Sequence, residues 1–381
     1  MAIATRSGSN GHGATRAMPR RAFAPAGTVP PVPFEHEELV IRRGARSGAE
    51  MIVAIHSTAL GPALGGVRLW HYPSATDASR DALRLAKGMT LKAAAAGLDL
   101  GGGKGVICAP GAGLERGESR NAALRDFGDL VDSLDGRYIS AEDVGVCPED
   151  MVVMRERTRH VTGLPPALGG SGDPSPFTAA GVEAAMRACA RERFSSSDLA
   201  GRRVTVIGLG HVGAGLARRL VAAGSVLAVS DIDPAKRGLA AELDAEWIDP
   251  SNEMLAECDL LAPCALGGAI DAANLPRLRC EIVCGCANNQ LADEGLAEAL
   301  AARGILYAPD FIVNAGGLIH IYREIRGHSE QEARQLVLEI ESNLDRVLRA
   351  ASERAITPLL AARELAEARL QAARQEQASV A

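Results

Sequence analysis

The stretch 204–217, VTVIGLGHVGAGLA, gives the clearest indication of the fold. An apolar run is followed by Gly208, Gly210 and Gly213 in the order G-x-G-x-x-G, and then by helical spacing. A strand that turns through glycines directly into a helix is the first unit of a doubly wound α/β sheet. This part of the chain is therefore predicted to form a parallel sheet with helices on both faces.

The sequence after this motif keeps alternating between strands and helices. Apolar runs of strand length lie at 204–208, 226–230, 260–264, 282–285 and 305–307. Alternation of this kind predicts a parallel sheet whose carboxyl edge binds a ligand.

The glycine motif has the pattern of a dinucleotide site. Gly208 makes the tight turn, Gly210 lets the backbone approach a pyrophosphate, and Gly213 allows close packing of helix on strand. His211 and Val212 open the helix, where free amides and the helix dipole favour an anion. The motif therefore predicts a bound dinucleotide cofactor.

An acidic residue at the end of the second strand refines this prediction. Asp231, in LAVSD, is placed to accept the ribose hydroxyls and to repel a 2′-phosphate. Lys236 and Arg237 lie nearby and weaken that repulsion. The pattern favours NAD over NADP.

The region on the amino side of the motif predicts a separate α/β domain. ELVIRRGARSGAEMIVAIHS (38–57) alternates as two strands joined by a turn, and LGPALGGVRLW (60–70) is interpreted as a glycine-dense loop. Helical spacing follows over 77–98, and RYISAED (137–143) predicts a strand that ends in two acids. The cluster GGSGDPSP (169–176) predicts a hinge, so the first domain is placed at 33–172 and the second at 173–325.

The two ends of the chain differ in character. SEQE (329–332) is a capping box and Thr357-Pro358 opens a last helix, so 326–381 is predicted to be helical and to pack back on the first domain. Residues 1–32 are rich in Gly, Ser, Ala, Arg and Pro without periodicity, which predicts a disordered leader.

Composition excludes several classes of function. The 381 residues carry 41 basic and 47 acidic side chains, a net charge of −6, which gives no support to nucleic-acid or membrane-surface binding. No apolar run reaches the roughly 18 residues of a membrane span. The eight cysteines form no CxxC pair, so we expect free thiols in a reducing cytoplasm and no metal site.

A second stretch, KGMTLKAAAAGLDLGGGKG (87–105), points to chemistry. Lys92 and Lys104 bracket small apolar residues with a single charge, Asp99, between them. One ammonium can hold a substrate carboxylate, and a desolvated lysine beside another cation can drop from a pKa of about 10.4 toward neutrality and act as a base. Two ordinary lysines on a helix rim are compatible with the same residues.

Seven motifs together resemble the glutamate/leucine/phenylalanine/valine dehydrogenase superfamily, and its branched-chain members most of all. They are GPALGGVR, KGMTLKAAAAGLDLGGGKGVI, RYISAEDVG, GDPSPFTAAGV, CALGGAI, GCANNQLADEG and RGILYAPDFIVNAGGLI. The resemblance extends over about 38–366. It implies a substrate and oligomerisation domain, a Rossmann-type NAD domain across a cleft, a homo-oligomer, and reversible oxidative deamination of an L-amino acid to a 2-oxo acid and ammonia.

The resemblance also implies roles for individual residues. Lys92 binds the substrate carboxylate, Lys104 activates the attacking water, and Asp143 exchanges protons with the substrate nitrogen. Further implied substrate contacts are Gly65, Gly66 and Asn289. Further implied cofactor contacts are Thr178, Ala265 and Asn288.

The implied side-chain pocket is apolar throughout. It is formed by Leu64, Met89, Ala141, Leu318 and Ile321. Glutamate-specific members carry a lysine in place of Leu64, and burying a carboxylate without that cation would cost several kcal/mol. Leucine at both 64 and 318 predicts a poor fit for an aromatic ring. The bulk of Leu318 and Ile321 predicts a short pocket that suits valine, 2-aminobutyrate or isoleucine at least as well as leucine. An aromatic or unusual amino acid, or a non-catalytic NAD-binding relative, is the alternative, and Lys92, Lys104 and Asp143 argue against the latter.

Overall fold

The computed structural model describes residues 35–109 and 115–380. The leader predicted at 1–32 lies outside these residues. The helices are α1 (Ala75–Ala95), α2 (Glu118–Asp132), α3 (Pro148–Arg155), α4 (Ser175–Phe194), α5 (His211–Ala222), α6 (Arg237–Glu242), α7 (Leu296–Ala302), α8 (Asp310–Val313), α9 (Gly316–Arg326), α10 (Glu330–Arg354) and α11 (Pro358–Val380). The strands are β1 (Glu38–Arg43), β2 (Glu50–Ser57), β3 (Ala63–Trp70), β4 (Gly101–Cys108), β5 (Tyr138–Glu142), β6 (Arg203–Ile207), β7 (Val226–Ser230), β8 (Glu246–Trp247), β9 (Leu260–Pro263), β10 (Ile282–Val283) and β11 (Leu306–Tyr307).

The first sheet is mixed and has the strand order β1-β2-β4-β3-β5. The hairpin predicted at 38–57 is confirmed as the antiparallel pair β1 and β2. Strand β4 runs antiparallel to β2 and parallel to β3, and β3 is also parallel to β5. The parallel strands β4, β3 and β5 therefore share a carboxyl edge.

The glycines of β4 allow protein to pack on both of its faces. A Cβ at Gly102 would overlap the backbone nitrogen of Thr90, so α1 lies directly against this strand. On the opposite face, a Cβ at Gly103 would lie 2.7 Å from the ring of Tyr138. Because side chains alternate along a strand, Lys104 faces the same side as Gly102, toward α1.

The prediction of a loop at 60–70 is wrong for most of this stretch, because residues 63–70 form the strand β3. A Cβ at Gly65 would overlap the carbonyl oxygen of Gly103, and one at Gly66 would lie 2.6 Å from the oxygen of Glu142. These glycines therefore permit a central strand between two close neighbours instead of a turn.

The second sheet is parallel and has the strand order β11-β10-β9-β6-β7-β8. This is the doubly wound nucleotide-binding order, with β6 at the centre, so the predicted fold class is confirmed. The five predicted strands are present as β6, β7, β9, β10 and β11. The sequence analysis missed β8, which is only two residues long.

The C-terminal part of the chain forms the two long helices α10 and α11. The Ser329 hydroxyl accepts the amide of Glu332, and the Glu332 carboxylate accepts the amide of Ser329, which confirms the capping box. Helix α10 packs on α4, and α11 packs on both α10 and α1. The divisions at 172 and 325 stay predictions.

Two further properties concern the chain as a whole. Over 35–109 and 115–380, every helix is too short or too polar to cross a bilayer. All eight cysteines are free thiols.

Candidate active site

Lys104 and Asp143 meet at the first sheet. Lys104 lies within β4 and is 5% exposed, while Asp143 directly follows β5. The Lys104 Nζ donates a hydrogen bond to Asp143 Oδ2. The parallel register of β3 with both strands brings together two residues 39 apart in the sequence.

The electrostatics of this pair favour base chemistry. Burial lowers the pKa of Lys104, Arg68 lowers it further, and the carboxylate of Asp143 opposes both effects. Burial acts to raise the pKa of Asp143, but Lys104 and Arg68 outweigh it, so this pKa lies below its usual value. Asp143 is therefore held as a carboxylate, and Lys104 loses its proton more readily than an exposed lysine.

Arg68 is a further member of this site, outside the residues to which the family resemblance gave roles. Its Nε lies 3.2 Å from Asp143 Oδ2 and its Nη1 lies 2.8 Å from Asp81 Oδ2. Tyr72 donates to the same Asp81 oxygen at 2.7 Å. The position of Arg68 two residues after Gly66, on a strand beside RYISAED, was the available signal.

Lys92 lies on α1, the helix that packs on the first sheet, and its side chain contacts a residue of the second domain. It lies in the last turn of α1, and its Nζ donates to Asn288 Oδ1 at 3.2 Å. Asn314 Nδ2 donates to the same oxygen at 2.9 Å. Burial lowers the pKa of Lys92, Asp310 opposes this, and the charge of Lys104 adds to it. A predicted substrate residue and a predicted cofactor residue are thus in contact.

Asp310 is a second residue to which the sequence analysis gave no role, although its motif was identified. It is buried, and its carboxylate accepts the amides of Phe311 at 2.8 Å and Gln290 at 3.4 Å. Burial raises the pKa of Asp310, and Lys92 and the amides only partly offset that. Asp310 therefore ties α8 to the loop that carries Asn289, whose φ of 51° lies in the left-handed region.

The glycine motif fits a dinucleotide by its local geometry. Gly208 has a φ of 96°, and a Cβ on Gly213 would overlap the carbonyl oxygen of Gly208. A Cβ on Gly210 would meet nothing within 4 Å, so open space lies beside the backbone where α5 begins. Asp231 Oδ2 accepts the amide of Leu209 at 2.6 Å, which places this carboxylate beside the turn.

The remaining residues predicted to bind the cofactor surround the same turn or the first turn of α4. His211 and Val212 begin α5. The Cβ of Ala265 lies 2.8 Å from where a Cβ on Gly208 would stand. Thr178 is buried and its hydroxyl donates to the carbonyl of Pro174 at 3.1 Å. The arrangement fits NAD at this edge of the sheet, whereas a Thr178 contact with it stays a prediction.

The predicted side-chain pocket residues share one apolar cluster. Leu64, Ala141 and Leu318 are buried in it, and Met89 and Ile321 pack against it half-buried. The cluster spans both sheets. A separate cavity of about 330 Å³ lies between α1, α8, α10 and α11, and none of the predicted site residues lines it.

Sequence comparison places these features in a known context. Residues 37–160 match the Glu/Leu/Phe/Val dehydrogenase dimerisation domain, and 234–378 match the Glutamate/Leucine/Phenylalanine/Valine dehydrogenase domain. Residues 179–268 match the NAD-binding domain of D-isomer specific 2-hydroxyacid dehydrogenases. The glycine motif lies inside this last match.

Three relatives extend over most of the chain. A leucine dehydrogenase of Thermoactinomyces intermedius is 44% identical over 89% of this chain and 92% of the relative. A valine dehydrogenase of Streptomyces virginiae is 40% identical over 89% of this chain and 95% of the relative. The crystal structure of L-tryptophan dehydrogenase from Nostoc punctiforme superposes with a TM-score of 0.80 at 38% identity, covering 90% of this chain and 97% of that one. With such matches along nearly all of its folded length, this chain belongs to the Glu/Leu/Phe/Val dehydrogenase family.

Proposed function

We propose that the protein is an NAD-dependent dehydrogenase that reversibly deaminates a branched-chain or small aliphatic L-amino acid to its 2-oxo acid and ammonia. The observation that carries the proposal is the contact between the buried Lys104 and Asp143. The leucine and valine dehydrogenases among the relatives support the same reaction.

The chain's own residues account for binding and proton transfer. The Lys92 ammonium holds the substrate carboxylate. The glycine turn at 208–213 and Asp231 would hold NAD⁺, which would supply the acceptor for the hydride that leaves the substrate Cα. Asp143 takes a proton from the amino group, and neutral Lys104 takes one from the water that attacks the imino carbon. The protonated Lys104 then stabilises the developing charge on oxygen.

The cofactor preference follows from the end of β7. Asp231 follows β7 beside the glycine turn, where its carboxylate would accept the ribose hydroxyls and repel a 2′-phosphate. The guanidinium of Arg237 lies 4.6 Å from the centroid of the Trp247 ring and is engaged there. These contacts support NAD over NADP.

The substrate class follows from the apolar cluster. Leu64 and Leu318 are buried. Position 64 carries a leucine instead of a lysine that could pair with a glutamate side chain. One methylene in such a pocket is worth only about 1–3 kcal/mol, so valine, 2-aminobutyrate, isoleucine and leucine all belong to the proposed range. Because a tryptophan dehydrogenase has the same fold, an aromatic substrate is the second candidate.

Assembly and location are part of the proposal. The first domain matches a dimerisation domain, and its edge strand β1 exposes Ile41. We propose a homo-oligomer that forms through the strands near the N-terminus. The free thiols support a reducing, cytoplasmic location.

The decisive experiment measures NADH oxidation with a panel of 2-oxo acids and ammonia. We expect turnover with branched-chain 2-oxo acids, little with phenylpyruvate or indolepyruvate, and little with NADPH. Lys104→Ala should lose roughly 10²- to 10⁴-fold in kcat, the range of a general base, while NADH binding survives. Lys87→Ala removes a lysine from the same stretch and should retain activity.

Each outcome bears on a different part of the proposal. A wild-type protein that turns over none of the 2-oxo acids would rule out the proposed function. An unchanged kcat in Lys104→Ala would show that Lys104 is not the base that deprotonates the water. A preference for indolepyruvate would favour the aromatic substrate as the alternative.

A further inference from the structure

An arginine of the last helix contacts the segment that joins the two lysines. The Nη1 of Arg369, on α11, donates to the carbonyls of Leu98 at 2.9 Å, Ala94 at 3.2 Å and Ala93 at 3.5 Å. Its Nη2 donates to Asp99 Oδ1 at 2.9 Å. One guanidinium therefore satisfies four acceptors within seven residues.

Two of these acceptors are carbonyls at the end of α1 that also accept backbone amides, Ala93 from Leu98 at 3.0 Å and Ala94 from Gly97 at 3.2 Å. The last four carbonyls of a helix lack partners within the helix, and a cation there also interacts favourably with the helix dipole. Helix α1 ends at Ala95, three residues after Lys92. Arg369 adds hydrogen bonds to this backbone cap from a helix far along the chain, and so joins the turn of Lys92 to α11.

The same contacts fix the link to Lys104. Strand β4 begins at Gly101, directly after the segment that Arg369 holds. Asp99 also lies 3.6 Å from the Nη2 of Arg326, at the end of α9. The one charged residue between the lysines is thus held by two guanidiniums from the C-terminal part of the chain.

Apolar packing also joins the end of α1 to α11, through Leu91 and Ala94 on one side and Ala366 and Leu370 on the other, but this packing is incomplete. The cavity of about 330 Å³ lies beside Arg369 and is lined by Ala94, Arg346 and Leu365 among others. The Arg369 side chain is itself 29% exposed. Loss of the guanidinium would remove four hydrogen bonds to this segment and enlarge the space beside the end of α1.

We propose that Arg369 is a positioning residue that holds the last turn of α1 and the following loop, and so sets the position of Lys92 relative to Lys104. This inference rests on the proposed function, in which Lys92 binds the carboxylate and Lys104 activates water. A displacement of about 1 Å at such a site can cost on the order of 10²-fold in rate. Lysine cannot replace the planar fork that reaches several acceptors at once.

The test compares Arg369→Ala and Arg369→Lys with Arg374→Ala, which removes an exposed arginine from the same helix. Hydrogen exchange of the amides in 93–100 is measured by mass spectrometry, and kcat and KM are measured with a branched-chain 2-oxo acid. In both Arg369 variants we expect faster exchange in this segment and a tenfold to hundredfold lower kcat/KM, with a raised KM for the 2-oxo acid. NADH affinity should stay within twofold of wild type, and Arg374→Ala should match wild type throughout.

The KM of the 2-oxo acid separates positioning from a general loss of stability. Partial unfolding would lower the active fraction and kcat, but it would leave KM unchanged. Wild-type exchange in 93–100 together with wild-type KM in Arg369→Ala would overturn the proposal. If Arg369→Ala does not fold, Asp99→Ala decides, because it removes the acceptor of Nη2, keeps the three carbonyl bonds and should give smaller changes in the same direction; unchanged values would overturn the proposal. Failure of the proposed function would instead show as an inactive wild-type protein, whatever the exchange result.

Discussion

The glycines of β3 and β4 and the glycines that follow β6 have different surroundings. A Cβ at Gly65 would overlap a carbonyl oxygen of β4, and a Cβ at Gly102 would overlap the backbone of α1. A Cβ at Gly210 would meet nothing within 4 Å. In the first sheet, the lack of a side chain lets neighbouring backbone segments pack in direct contact. In the second sheet, the lack of a side chain at Gly210 leaves open space beside a helix N-terminus.

The difference separates two uses of one residue type. Glycines that let strands and helices approach each other contribute to folding, so their replacement should appear in the free energy of unfolding. A glycine that faces open space beside a phosphate-binding turn contributes to ligand binding, so its replacement should appear in cofactor affinity. Substitutions to alanine can distinguish the two cases.

Gly65→Ala should have the largest effect. The added methyl group would overlap the Gly103 carbonyl in a neighbouring strand, and backbone cannot move aside as a flexible side chain can. We expect a loss of about 3 kcal/mol or more in the free energy of unfolding, or no folded protein at all. Urea unfolding followed by circular dichroism measures this.

Gly88→Ala is the matched control for that substitution. Gly88 lies within α1, and a Cβ there would meet nothing within 4 Å. Alanine in an exposed helix interior should stabilise by roughly 0.5–1 kcal/mol. A Gly65→Ala protein as stable as Gly88→Ala would contradict the packing of β3 against β4.

Gly210→Ala should have a smaller effect, and on a different quantity. Its φ of −66° suits alanine, so we expect the free energy of unfolding to stay within about 1 kcal/mol of wild type. The methyl group would occupy the space where the backbone approaches the pyrophosphate, and NADH should bind about tenfold more weakly, a cost of about 1.4 kcal/mol. Titration of NADH fluorescence measures this. Gly238→Ala, which adds a methyl group to open space on α6, should leave NADH affinity unchanged. Equal NADH affinities in the wild type, Gly210→Ala and Gly238→Ala would refute the role of Gly210 in pyrophosphate binding.

The two glycine regions also differ in how far sequence analysis can predict them. The motif around Gly208 is local, since strand, turn and helix follow one another and the next strand ends at Ser230, directly before Asp231. The need for Gly65 arises from β4, a strand that joins it only through tertiary pairing. A glycine-dense stretch with no visible partner is therefore interpreted as a loop, and the interpretation of 60–70 failed for that reason.

The same distinction applies to the site. Lys104 and Asp143 were predicted because their motifs and residue types match the chemistry. Arg68 and Asp310 were missed because their roles depend on partners distant in the sequence. Arg68 reaches Asp143 over 75 residues. Asp310 contacts Gln290, 20 residues earlier in the same domain, and meets the charge of Lys92 from the first domain.

The last prediction, with the smallest expected effect, concerns the charge of Arg68 at the first sheet. At the first sheet the charged groups are paired within the protein, and Arg68 lies between the carboxylates of Asp81 and Asp143. Burial and the positive charge of Arg68 both lower the pKa of Lys104, against the opposing carboxylates. Arg68→Gln removes one cation, so the pKa of Lys104 should rise, and the pKa of Asp143, which burial raises and Lys104 and Arg68 lower, should rise as well.

Both changes move the activity in one direction. The neutral amine of Lys104 and the carboxylate of Asp143 form only above their pKa values, so the acidic limb of the profile of kcat/KM against pH should shift to higher pH in Arg68→Gln. Arg80→Gln removes an exposed arginine of α1 that pairs with Asp77, and it should leave this limb in place. A shift to lower pH in Arg68→Gln would mean that the guanidinium acts on Lys104 mainly by orienting Asp143, because a misplaced carboxylate no longer holds the proton on the amine.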